Sequence, residues 1–101
     1  MNAQAAEALF EAERKGVRQI RGTYADRRSG GLCALGVLGF TSQNTFATCR
    51  LREVYGFRQA PMDCPCCGDS FGSEFKVVYH MNDHHRLTFS EIARKLGPDH
   101  A

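Results

Sequence analysis

The stretch of sequence that decides the fold is residues 64–84, CPCCGDSFGSEFKVVYHMNDH. Its cysteines and histidines follow the spacing C-x2-C-x12-H-x3-H. A C-x2-C turn brings two thiolates to one metal ion, and histidines four residues apart project from the same face of a helix. The spacing therefore predicts a Zn²⁺ site. The expected ligands are Cys64, Cys67, His80 and His84.

Neighbouring residues offer rival ligands. Cys66 competes with Cys64 as a ligand, although a C-x2-C pair chelates a metal ion with better geometry than two adjacent cysteines do. His85 competes with His84, but on a regular helix it lies five residues from His80 and is expected to point away. Four protein ligands leave no open coordination position, so the spacing predicts a structural zinc ion and a protein that is not an enzyme.

The stretch also resembles a C2H2 zinc finger, because hydrophobic residues stand at the two core positions of that family's pattern. Phe71 lies four residues after Cys67, and Val77 lies three residues before His80. The resemblance implies an alternative function, nucleic-acid binding, through the helix positions that contact bases in such fingers. Of the four residues at these helix positions, only Lys76 is suited to contact a base or a phosphate. The four positions are Ser73, Phe75, Lys76 and Tyr79.

The charge of the chain is unevenly distributed. Residues 1–60 carry nine Lys or Arg against five Asp or Glu, a net charge of +4, whereas residues 61–101 carry four against six, a net charge of −2. The negative half opposes binding to phosphate by the finger-like stretch. Ten of the thirteen basic residues are Arg, which makes bidentate contacts to carboxylates and phosphates. We therefore expect a surface that binds a partner protein in the first half. Its candidate residues are Arg14, Arg18, Arg21, Arg27 and Arg28.

The rest of the pattern predicts one small α+β domain over residues 1–101, with a helix, short sheet and helix in 1–60 and a C2H2-like zinc knuckle with two helices in 61–101. Thr88 and Glu91 form a capping box at the start of the last helix, and Gly97 follows it. Asn2 and Gly16 bound the first helix. The expected elements are a helix at 3–15, a strand at 17–25, a turn at 26–31, a short helix at 32–40, a helix at 43–55 capped by Thr41 and Ser42, and helices at 75–83 and 88–96.

The five cysteines indicate the compartment. Their odd number, the crowding of three of them and the absence of a secretory signal predict reduced thiols and a cytoplasmic protein. No stretch approaches the roughly 18 apolar residues of a membrane span. Cys33, within an apolar segment, is expected to be a buried small hydrophobic residue rather than the nucleophile of a small enzyme. Cys49 has no role that the pattern assigns.

Two segments are similar to motifs of small zinc-binding domains found in bacteria and their phages. Residues 33–38, C-A-L-G-V-L, match the family's C-A-L-G-A-[LI] segment, and residues 80–84, H-M-N-D-H, open a stretch similar to its H-L-N-D-x-H ending. The resemblance implies a phage or prophage protein that binds a host protein stoichiometrically, for instance as an inhibitor of a defence system. Val37 stands where the pattern prefers alanine.

Overall fold

The computed structural model describes residues 1–40 and 46–97, and this part of the chain has an α+β fold. It contains five helices and two separate two-stranded antiparallel sheets. The helices are α1 (Ala3–Arg14), α2 (Ala34–Gly39), α3 (Thr48–Glu53), α4 (Glu74–Asp83) and α5 (Phe89–Leu96). One sheet pairs β1 (Ala25–Asp26) with β2 (Gly31–Leu32), and the other pairs β3 (Met62–Asp63) with β4 (Ser70–Phe71).

The helices enclose one hydrophobic core. Helix α1 packs against α5 and α2, and α4 packs against α2 and α5. Leu9, Leu35, Val78 and Ile92, from four different helices, are completely buried. The β-branched residues of α4 favour strands in isolation. Their burial between neighbouring helices outweighs that preference, because tertiary packing of an apolar face supplies most of the stability of a short helix.

The predicted first and last helices are confirmed together with their caps. Asn2 accepts a hydrogen bond from the amide of Ala5 at 2.9 Å and also donates to the carbonyl of Val54 at 2.9 Å, so the cap ties α1 to the end of α3. Helix α5 begins with the expected capping box between Thr88 and Glu91.

The glycine at position 97, after α5, is not required by a left-handed backbone conformation, which is the usual reason for glycine at the end of a helix. Its φ of −71° is an ordinary extended conformation that any residue adopts. What the position lacks is space, because a Cβ atom there would lie 2.5 Å from the carbonyl oxygen of Ala93 and 3.1 Å from the Cβ of Ala6.

The predicted strand at 17–25 is wrong in extent. Only its last residue belongs to β1, and Gln19 forms a single parallel bridge with Leu32. The amide of Ile20 donates to the carbonyl of Leu32 at 3.1 Å, but its carbonyl accepts from the side chain of Asn82, and the amide of Gly22 donates to the side chain of Asp83. Side chains distant in sequence have therefore taken two of the hydrogen bonds that a continuous strand would have made.

The predicted helix at 43–55 is shorter in the described part of the chain. Helix α3 begins at Thr48, and Phe46 precedes it in a bridge to Phe40. The expected cap at Thr41 and Ser42 lies outside the described residues. The short helix predicted within residues 32–40 is confirmed as α2, with Cys33 as its N-cap.

The side chain of Asn82 joins three segments of the core. It is 1% exposed, and its Oδ1 accepts from the amide of Ala34 at 3.0 Å and from Nε2 of Gln19 at 2.8 Å. Its Nδ2 donates to the carbonyl of Ile20 at 2.9 Å. One amide thus aligns the start of α2, the connection after α1 and the end of α4, and its removal would leave buried polar groups unpaired.

We predict that Asn82→Ala lowers the free energy of unfolding by about 2–4 kcal/mol, because several buried donors and acceptors lose their partner at once. Urea denaturation of zinc-saturated protein measures this change. Gln4→Ala, at an exposed position of α1, is the matched control and should change stability by less than about 0.5 kcal/mol. Equal stability of the two variants would contradict the prediction.

Candidate metal centre

A tight turn between β3 and β4 presents the cysteines. Cys64 follows β3, its amide donates to the carbonyl of Asp69 at 2.8 Å, and its carbonyl accepts from the amide of Gly68 at 2.8 Å. Gly68 has a φ of +79°, in the left-handed region that glycine enters without strain. The amide of Cys66 donates to Sγ of Cys64 at 3.4 Å, a contact that holds the turn around this sulfur.

Helix α4 brings histidines to these sulfurs. Sγ of Cys64, Sγ of Cys67 and one ring nitrogen from each of His80 and His85 all lie within 4.8 Å of one another. Sγ of Cys67 is 3.5 Å from Nε2 of His80. A tetrahedral zinc ion with ordinary bond lengths places sulfur and nitrogen ligands about 3.5 Å apart. The four donors are therefore arranged so that they could hold a metal ion.

The structure places His85 in this group and leaves His84 out of it, which differs from the predicted ligand set. The expectation assumed regular helical geometry beyond residue 83; His84 keeps a helical backbone, but the turn that closes after it does not follow the helix. The amides of His84 and His85 both approach the carbonyl of His80, at 2.8 and 3.3 Å, so the last turn widens. This wider turn brings the fifth residue after His80, rather than the fourth, to the sulfurs. The ring of His84 stacks on that of His80, with 4.8 Å between centroids.

The donor set has the chemistry of a zinc site. Two thiolates with two imidazoles suit Zn²⁺, whereas Mg²⁺ and Ca²⁺ prefer oxygen ligands. Nε2 of His85 is buried and has no hydrogen-bond partner among the described residues. Burial, and then the proximity of His85 and His84, lowers the pKa of His80, which keeps that ring in the neutral form that binds a metal.

Two other polar candidates have structural roles. The carboxylate of Asp83 accepts from the amide of Gly22 at 2.9 Å and from Nδ2 of Asn82 at 2.8 Å. Cys33 is buried, as expected, and its Sγ accepts from the amide of Gly36 at 3.3 Å at the start of α2. Burial raises the pKa of the Cys33 thiol, which opposes formation of a reactive thiolate.

The five arginines of the predicted partner surface are in different environments. Arg14 forms ion pairs with Glu7 and Glu11 on α1. Arg21 donates to the carbonyl of Asn82 at 3.1 Å and so contributes to the end of α4. Arg18 is exposed after α1, and Arg27 and Arg28 are exposed in the turn between β1 and β2.

No protein-family model matches the chain, and neither a curated protein nor a solved structure is significantly similar to it. Within residues 1–40 and 46–97, every helix is too short or too polar to cross a membrane. The geometry of the site and the pattern of its residues are therefore the basis for assigning a function.

The first prediction for this site concerns its fourth ligand. His85→Ala should lower zinc affinity at least roughly 100-fold, because even the loss of an outer-shell partner costs about 10–100-fold. His84→Ala, which keeps all four donors, should retain one zinc ion per chain. Competition with a chromophoric chelator measures the affinities, and the visible spectrum of the Co²⁺ form reports whether coordination stays tetrahedral. The reverse order of the two variants would assign His84 as the ligand.

The second prediction concerns acid. Protons compete with zinc for the two thiolates and the two imidazoles, so zinc affinity falls as the pH falls. The pKa of His80 lies below the ordinary imidazole value of about 6.5, so this ring resists protonation until the pH is below that value, where release should become pronounced. A zinc-sensitive dye follows the release during acid titration. Full retention of zinc at roughly pH 4 would be inconsistent with thiolate and imidazole ligands.

Proposed function

We propose that this chain is a small, non-enzymatic protein that is stabilised by zinc and acts by binding a partner protein. The observation that carries the proposal is the closed group of four donors at Cys64, Cys67, His80 and His85, with an unpartnered buried nitrogen on the last of these. The similarity to small zinc-binding domains of bacteria and phages suggests a phage or prophage protein. Its partner would then be a host protein, such as a component of a defence system.

Zinc would link two elements that are weak on their own. The sheet of β3 and β4 contains only two residue pairs, and an isolated hairpin is marginally stable in water. A structural zinc ion contributes apparent binding free energy on the order of 10 kcal/mol at neutral pH. The ion would therefore hold the cysteine turn against the end of α4 and keep the surrounding surface rigid.

The donor set argues against zinc catalysis. Catalytic zinc sites use three protein ligands and leave a position for water or substrate, whereas four protein donors close the coordination sphere. Cys33, which was the candidate for cysteine-based chemistry, is 1% exposed and caps α2. Neither group offers a substrate both access and an activated nucleophile.

Nucleic-acid binding is the second candidate, and the packing of α4 argues against it. A C2H2 finger that reads DNA inserts its helix into the major groove. Here Phe75 and Tyr79, at two of the corresponding positions, each pack edge to face on the ring of Tyr24, with 6.1 Å between centroids. Tyr24 in turn stacks on Phe46 at 4.3 Å. This face of the helix is already engaged within the protein.

We predict that tagged, zinc-loaded protein recovers a host protein from bacterial lysate as a complex of fixed stoichiometry, and that Cys67→Ser abolishes the complex because the metal centre is lost. Size-exclusion chromatography with light scattering measures the stoichiometry. Arg28→Gln tests the exposed hairpin turn, and an unchanged complex would place the interface elsewhere.

The same preparation separates the alternative function. Fluorescence anisotropy with duplex DNA should give only weak, strongly salt-dependent binding in the non-specific range of roughly 10⁻⁴–10⁻⁶ M. Tighter, sequence-dependent binding that Lys76→Gln removes would favour the nucleic-acid function over the binding of a partner protein.

A further inference from the structure

A cleft of about 270 Å³ lies at the start of α4, at the opposite end of the helix from the metal centre. Its floor is apolar, because Leu51 is 2% exposed and Phe57 is 6% exposed. Residues that can donate hydrogen bonds also line the cleft, among them Thr48, Ser73, Arg52 and Arg58. The cleft is therefore lined both by buried apolar residues and by residues that can donate hydrogen bonds.

The two arginines have no counter-ion. Arg52 and Arg58 are exposed, and within residues 1–40 and 46–97 neither guanidinium forms a hydrogen bond or an ion pair. No Asp or Glu of the described chain lines the cleft. The contrast with Arg14, which is paired to two glutamates, shows that this protein does neutralise arginines elsewhere. Two exposed arginines without counter-ions therefore line one small cavity.

A carboxylate in the first turn of α4 is already engaged within the protein. Glu74, in the first turn of α4, is 1% exposed and accepts from the ammonium group of Met1 at 2.5 Å and from the amide of Arg58 at 2.9 Å. The hydroxyl of Ser73, the N-cap, makes no capping hydrogen bond. Glu74, the acidic residue of the first turn, offsets the positive end of the helix dipole, so the positive charge at this cleft comes from the two arginines.

We propose that this cleft binds a phosphate monoester. Such a group carries a charge of about −1.5 to −2 at neutral pH. This charge balances two guanidinium groups better than the single negative charge of a carboxylate ligand would. The volume is below the roughly 300–1,000 Å³ of pockets that enclose drug-sized ligands, so the cleft suits the phosphate and the first atoms attached to it rather than a whole nucleotide. No large hydrophobic residue of the described chain is exposed, so charge is the available means of recognition.

The phosphate monoester has two sources. It is either a free small molecule or a phosphorylated side chain of the partner protein, and the second source rests on the proposed function. A partner held here would contact α3 and the start of α4. Helix α4 also carries His80, so the cleft and the metal centre share one helix. The metal centre would then support the binding surface without touching the ligand.

The test titrates zinc-loaded, full-length protein with phenyl phosphate and follows the backbone amides by NMR. We expect saturable shifts at Ser73 and Phe75. Arg52→Gln and Arg58→Gln should each weaken binding roughly tenfold, the loss of one charge-assisted contact. Arg27→Gln, an exposed arginine outside the cleft, is the matched control and should leave the affinity unchanged.

A phosphoserine peptide and its unphosphorylated counterpart identify the source. Preference for the phosphopeptide over phenyl phosphate supports a phosphorylated partner, and equal affinity supports a free ester. Absence of saturable shifts, an equal loss with Arg27→Gln, or tighter binding of a single-stranded oligonucleotide would overturn the proposal. Zinc content is measured for every variant: a protein that keeps its zinc but does not bind phosphate contradicts only the cleft, whereas one without zinc contradicts the proposed function.

Discussion

The hydrogen bonds of Asn82 are the interaction on which the remaining structure depends. The amide fixes the rotation of α4 about its own axis, because its Oδ1 and Nδ2 reach α2 and the segment after α1 at the same time. Successive residues of a helix are rotated by about 100°, so His80, two residues earlier, emerges on the opposite face. An inward Asn82 thus directs His80 towards the cysteine turn. The polar interior and the metal centre are two consequences of one helix orientation.

This orientation also gives the two ends of α4 different chemistry. The C-terminal end carries soft donors and a partly buried imidazole, whereas the N-terminal end faces two arginines without counter-ions. Glu74 and Asn82 stand near opposite ends of the helix, and both are 1% exposed. Buried polar side chains that are fully hydrogen-bonded make an element rigid. The helix is therefore held at both ends, and the surface on either side of it has a defined shape.

The features that could be predicted from the sequence are those set by interactions between residues that are close along the chain. The cap at Asn2, the capping box of Thr88 and Glu91, and the C-x2-C turn each depend on residues within one turn of the chain, and the structure contains these elements. The strand at 17–25 was mispredicted in extent because the carbonyl of Ile20 and the amide of Gly22 bond to side chains about sixty residues away.

The choice of His85 depended on the geometry of the turn just after α4, and helical periodicity cannot reveal it because the amide of His85 reaches back five residues to His80. The arginines at 52 and 58 were not singled out, since nothing in their local sequence distinguishes a paired guanidinium from an unpaired one. Their significance depends on a cleft built from two helices and the connection between them.

The crowded position after α5 has a consequence for how this chain can vary. Glycine after a helix usually reflects a backbone conformation, and asparagine is then an acceptable replacement. At position 97 the constraint is steric, so asparagine is no better tolerated than alanine. Because the closest contact is the backbone carbonyl of Ala93, which no change of a neighbouring side chain removes, only a shift of the backbone after α5 would admit a side chain at position 97.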